Sequence, residues 1–131
     1  MDITITNCTT AATGITQVDF RCAHGTGQGG WVADPPGVPA IGTPWHVTLD
    51  TAEVFTERTI NPAETACGLA LDPRGTLITG RAFSDEGAAG TIRLEVGDGL
   101  TLEVLCRGTD RFSGETVALL ARELRIRPVH A

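Results

Sequence analysis

Lysine and tyrosine are both absent from the 131 residues. Without lysine there is no Schiff-base amine, no P-loop lysine and no Ser–Lys dyad. All ten basic side chains are therefore arginines. An arginine-only chain rich in Ala, Gly and Thr fits a GC-rich bacterial genome. Long apolar runs are missing too. No stretch of 18 apolar residues occurs, so no membrane-crossing helix is expected. The opening residues, Met1 to Asn7, have neither a basic n-region nor an apolar h-region. They are expected not to act as a signal peptide, and the cytoplasm is the expected compartment. No CxxC pair occurs among Cys8, Cys22, Cys67 and Cys106. In a reducing cytosol these are expected to be free thiols that pack as small hydrophobes. No serine lies in a GxSxG elbow, so a nucleophile of that kind is excluded.

The length is that of one domain, 1–131, large enough to bury a core without staples. Apolar residues make up 41% and charged residues 20%, which is globular and not disordered. The formal net charge is −6. Such a surface repels phosphate backbones and anionic membranes, so neither nucleic acid nor a membrane is an expected partner.

Period-two alternation dominates the chain. Ile3 and Ile5 share a face in Asp2–Asn7, and Val18, Phe20 and Cys22 share one in Ile15–Ala23, with a turn at Ala11–Gly14 between them. That turn places Cys8 opposite about Ile15 and not opposite Cys22, against a hairpin disulfide. Trp45, Val47 and Leu49 alternate with His46, Thr48 and Asp50. Ala52–Ile60 is weaker, broken by Asn61-Pro62. Glu64–Leu71 reads as a short helix or the lead into a strand. Asp72-Pro73-Arg74-Gly75 is a turn signal, with a strand expected over Thr76–Phe83. Asp85–Gly90 is a further turn. The strongest hairpin joins Thr91–Val96 to Leu100–Cys106 through Gly97-Asp98-Gly99, because Asp-Gly supplies positive φ angles. The tail favours strands over Glu115–Leu120 and Glu123–Val129, with a helix after Ser113 as the alternative.

Between these runs, His24–Pro44 is rich in Gly and Pro and reads as one long flexible loop, pinned by Trp31. The total is seven or eight short strands. The expected fold class is all-β: a small antiparallel barrel, OB-like or sandwich, with that loop and at most one short helix.

Each candidate site has a plain structural reading beside the functional one. Gly25-Thr26-Gly27-Gln28-Gly29-Gly30 satisfies GxGxxG, but Pro35-Pro36 forbids the helix a dinucleotide site needs. No cofactor is expected. Cys22, His24, His46 and Cys67 lack the spacing of a zinc ribbon or finger, and no metal site is assigned. His46 and Asp50 are weak catalytic candidates: on an inward face His46 would be a general base, oriented by Asp50 or Glu53. On an outward face it is a solvated histidine. Five of the ten arginines follow residue 106, against three acidic residues, while the first 57 residues hold one arginine and six acids. Arg125 and Arg127 are thus candidates for an anionic-ligand or acidic-partner face, or plain cross-strand ion pairs. Trp31 and Trp45 flank the Gly/Pro segment and suit a binding anchor or core filler; His24 is a further binding candidate.

The leading expectation is a non-enzymatic accessory or immunity-type module that docks a protein partner through an acidic surface and the loop His24–Pro44, or self-associates. The alternatives are a small barrel enzyme or carrier enclosing an apolar small molecule through a cavity near His46, and a structural homo-oligomer.

Overall fold

The computed structural model describes residues 1–33, 37–84, 90–108 and 111–129. Pro35-Pro36 and, Gly90 apart, the turn expected at Asp85–Gly90 lie outside the described residues. Within them there are twelve strands and no helix. The strands are β1 (Asp2–Thr10), β2 (Thr16–Cys22), β3 (Gly25–Trp31), β4 (Pro44–Asp50), β5 (Val54–Thr56), β6 (Ile60–Pro62), β7 (Gly68–Asp72), β8 (Gly75–Ser84), β9 (Thr91–Gly97), β10 (Leu100–Arg107), β11 (Ser113–Ala121) and β12 (Arg125–Pro128). The all-β barrel expected from the alternation is present, with more and shorter strands than the seven or eight expected.

Five strands close the barrel in the order β12-β4-β1-β2-β3, with β3 returning to β12. Closure removes the free edge where β12 returns to β3, over Arg125↔Gly30 and Ile126↔Trp31. Its inward residues are those the alternation marks: Ile3 and Ile5, Val18 and Phe20, Val47 and Leu49, joined by Leu124 and Ile126, all buried. Each such side chain stabilises the fold by roughly 1.5–3 kcal/mol relative to exposure. A second run, β7-β8-β9-β10-β5, extends from β3, with β11 on β8 and β6 on β11. Ile78, Leu94, Leu102 and Leu119 fill it, in one core continuous with the barrel. Most pairings are antiparallel. The exceptions are β12 on β3, β5 on β10, and the single bridge Gly25↔Leu69 between β3 and β7.

Three local expectations are corrected. The flexible loop over His24–Pro44 begins instead as strand β3, paired with β2 from Gln17↔Gly30 to Cys22↔Gly25. Its glycines let it press against neighbours that a side chain would strike. A Cβ on Gly25 would lie 2.0 Å from the Leu69 carbonyl oxygen, one on Gly27 2.7 Å from the Phe20 ring, and one on Gly29 2.6 Å from the Leu124 carbonyl oxygen. Cys8 lies opposite Val18, not Ile15, because the loop takes in Ala11 to Ile15, so that Thr10 pairs with Thr16 and Cys8, two residues farther on, with Val18. Cys8, Cys22 and Cys67 are free thiols, as expected, but Cys67 is exposed and does not pack as a small hydrophobe. Asn61 and Pro62, expected to break a strand, belong to β6, where a proline is tolerated on a short edge. Of the two readings for Glu64–Leu71, the lead into a strand holds, with β7 over Gly68–Asp72. The tail is strand, and the hairpin at Gly97-Asp98-Gly99 and the turn at Asp72–Gly75 stand as expected.

Candidate functional site

The described residues form an open cleft of about 830 Å³ at one end of the barrel. Three segments build it. The first is the β1–β2 turn, closed by the Gly14 N–H on the Ala11 carbonyl at 2.9 Å and the Ala11 N–H on the Ile15 carbonyl at 2.9 Å. Alternation back from Phe20 and Val18 puts Thr16 inward, which leaves Ile15 outside and 56% exposed. The second runs from the end of β3 into the connection to β4: Trp31, Val32, Ala33, then Gly37 and Val38. Val32 is tied to the barrel by its N–H on the Ile126 carbonyl at 2.9 Å. The third is the β11–β12 turn, which supplies Arg122, Glu123, Leu124 and Arg125.

Glu53 holds that turn. Its carboxylate accepts the backbone N–H of Arg122 at 2.9 Å, the N–H of Glu123 at 3.1 Å and the Thr51 hydroxyl at 2.8 Å. The side chains of Arg122 and Glu123 are exposed. A second cleft of about 480 Å³ lies over β5, β8 and β11, lined by Val54, Leu77, Leu120 and Arg74 among others. Arg122 lines both clefts.

Trp31 and Trp45 meet edge to face, ring centroids 5.1 Å apart at 76°. Trp31 lines the larger cleft. Trp45 stands behind it, its indole N–H donating to the Thr43 hydroxyl at 2.9 Å. Arg125 lines the same cleft while its Nε donates to Asp50; the other Asp50 oxygen accepts from Arg127 Nε at 2.6 Å. The outward cross-strand pairing weighed for these arginines is therefore what they make, with Arg125 directly opposite Asp50 in the register. Comparison with known proteins finds no matching family model, no matching curated protein and no matching solved structure.

The other candidates lie elsewhere. His46 is on the outer face of β4, and its Nδ1 is 2.7 Å from the Asp2 carboxylate, an ion pair only when the imidazole is protonated. The hydrogen bond from His46 holds the Asp2 carboxyl below its ordinary value. The inward His46 with Asp50 or Glu53 as its orienting acid is thus corrected. His46 faces out beside Asp2, Asp50 is committed to two arginines and Glu53 to a backbone turn. Neither cleft is lined by His46. His24 lies over Gly97 of the β9–β10 hairpin, its Nε2 3.0 Å from the Asp98 carbonyl oxygen. Among the described residues no three His, Cys, Asp or Glu side chains are grouped to hold a metal ion.

Ile15, Val38 and Arg122 were not singled out as a group by the sequence. The alternation of β2 already implied an outward Ile15. Nothing local to Val38 or Arg122 indicated that they would meet it.

Proposed function

We propose that this chain is a small non-catalytic binding module that docks a segment of a protein partner in the larger cleft. The observation that carries this reading is the exposed apolar rim, Ile15, Val32 and Val38, the last 62% exposed, standing around Trp31 in an open concavity. Exposed apolar side chains gathered at one concave site mark contact surfaces, and a rigid Trp beside them is the usual anchor. The packed barrel interior supports a surface site over an enclosed one: Ile5, Val18 and Ile126 are fully buried, and Phe20 fills the space against Gly27. One observation favours a second reading. The cleft volume lies within the roughly 300–1,000 Å³ usual for small-molecule sites, so an apolar small molecule is the alternative occupant.

A photo-crosslinking amino acid in place of Val38 tests both. The docking reading expects adducts to one partner protein that also form from positions 15 and 32 and vanish in Val32→Asp. Adducts only to a second copy of this chain would replace docking by self-association. A small molecule that copurifies with the chain and is lost in Val38→Asp would replace it by the carrier reading.

A further inference from the structure

The two clefts share Arg122, and it is the chemistry of this side chain that specifies the docked segment. We infer that the segment is an extended peptide carrying an acidic residue between two large apolar residues, with the acid on Arg122 and one apolar anchor in each cleft. This rests on the docking reading above and deepens it.

The charges at the clefts single out Arg122. Although the chain is acidic overall, three arginines mark the two clefts: Arg125 in the larger, Arg74 in the smaller and Arg122 in both. Two are already engaged. Arg125 pairs with Asp50, and Arg74 Nε lies 3.2 Å from the Asp72 carboxylate. Glu53, in the smaller cleft, has both carboxylate oxygens occupied by the backbone of the β11–β12 turn. Among the described residues Glu123 is the remaining acid of the larger cleft, and it does not line the smaller one. Among the described residues the Arg122 guanidinium has no carboxylate within ion-pair distance. A guanidinium offers a planar fork of donors matched to a carboxylate, and a ligand carboxylate is the group that satisfies it here.

Each of the two clefts that Arg122 lines also offers apolar surface. The larger cleft offers Trp31, Ile15 and Val38. The smaller offers Val54, 50% exposed, and Leu77, 38% exposed. Two apolar depressions with one cation common to both match an extended chain that presents alternate side chains to a surface. A globular partner with a single protruding anchor would fill one depression and leave the other.

Selection from a random dodecapeptide phage library against the whole chain, followed by synthesis of the consensus, tests this. The expected consensus has Asp or Glu flanked on both sides by large apolar residues. Its ¹⁵N-resolved titration is expected to shift amides of both clefts, Val38 and Leu77 included. Affinity is expected to fall about tenfold in Arg122→Gln, as for a lost charge-assisted contact, and to be only partly restored in Arg122→Lys, which keeps the charge but not the planar fork. Because Arg122 is exposed, neither substitution should alter the folded spectrum. A consensus without acids, unaffected by Arg122→Gln yet still shifting Val38, overturns this inference and leaves the docking reading standing. Peptides that shift neither cleft overturn both. Concentration-dependent dimerisation that shifts the same amides without peptide also overturns it, in favour of a second copy as the occupant.

Discussion

The Thr76 hydroxyl serves both backbone groups of Gln28: it accepts the Gln28 N–H at 2.9 Å and donates to the Gln28 carbonyl at 2.7 Å. This is where the closed barrel joins the rest of the sheet. β3 meets β7 only at Gly25↔Leu69 and meets β12 only from Gly30 onward. Between those points no described strand pairs with the edge of β3, and side chains take the place of a ladder: the fully buried Thr76, and Thr26, whose hydroxyl accepts the Leu71 N–H at 3.2 Å. A hydroxyl can do so because it both donates and accepts. The Gln28 side chain adds a bond from its Nε2 to the Asp72 carbonyl at 3.2 Å, so β3 is tied to both strands of the β7–β8 hairpin.

Thr76→Val keeps the shape and removes both bonds, leaving the Gln28 backbone groups without a partner on this side. The expected loss is about 2–4 kcal/mol of unfolding free energy, since each unsatisfied buried group costs roughly 1–3 kcal/mol. Thr76→Ser keeps the hydroxyl and loses one methyl, for roughly 1 kcal/mol. Urea unfolding midpoints of the two variants check the order. If Thr76→Val were as stable as Thr76→Ser, the hydroxyl would not be the link between barrel and sheet.

Gly25 and Gly99 both have positive φ, +128° and +76°, but their surroundings differ. A Cβ on Gly25 would collide with the Leu69 backbone, whereas one on Gly99 would meet nothing within 4 Å. Gly99→Ala therefore carries only the conformational cost, about 1–2 kcal/mol. Gly25→Ala adds displacement of β7 from β3 and is expected to cost well beyond that, roughly 3 kcal/mol or more. Thermal midpoints measured side by side are the check. Equal shifts would mean that close approach plays no part in seating β3.

These contrasts explain what was legible in the sequence. The β9–β10 hairpin was readable because its turn residues and its alternation, from Ile92 to Val104, are local and agree. β3 was not, because Gly25, Gly27 and Gly29 carry the same letters whether they loosen a loop or thin a strand. The deciding contacts, Leu69, Phe20 and Leu124, are remote in sequence or hidden by the register. β5 and β6, three residues each, are shorter than any period can show. The two tryptophans were legible as a pair from their place around the Gly/Pro segment. Glu53 was legible only as an acid near His46, because the backbone it holds lies 69 and 70 residues away.

The Asp72–Gly75 turn gives a pH test. The Arg74 backbone N–H donates to the Asp72 carboxylate at 2.9 Å and the Arg74 Nε at 3.2 Å, which holds the Asp72 carboxyl below its ordinary value of 3.8. A carboxyl depressed in the folded state binds protons less readily there than in the unfolded chain. Its contribution is therefore fully present above the ordinary value and is lost as pH falls through the lowered one. Asp72→Asn keeps the shape of the turn and cannot ionise. It is expected to be less stable than the parent at pH 7, with the gap constant down to about pH 5 and closing toward pH 2. Asp2 and Glu115 are depressed in the same direction by their own hydrogen bonds, so the acid limb of the parent alone does not isolate Asp72. The difference between parent and variant does, because those two groups are common to both. Urea midpoints at pH 7, 5, 3.5 and 2 provide the measurement. A gap that stayed constant to pH 2 would place the effect of the substitution in something other than the carboxylate charge.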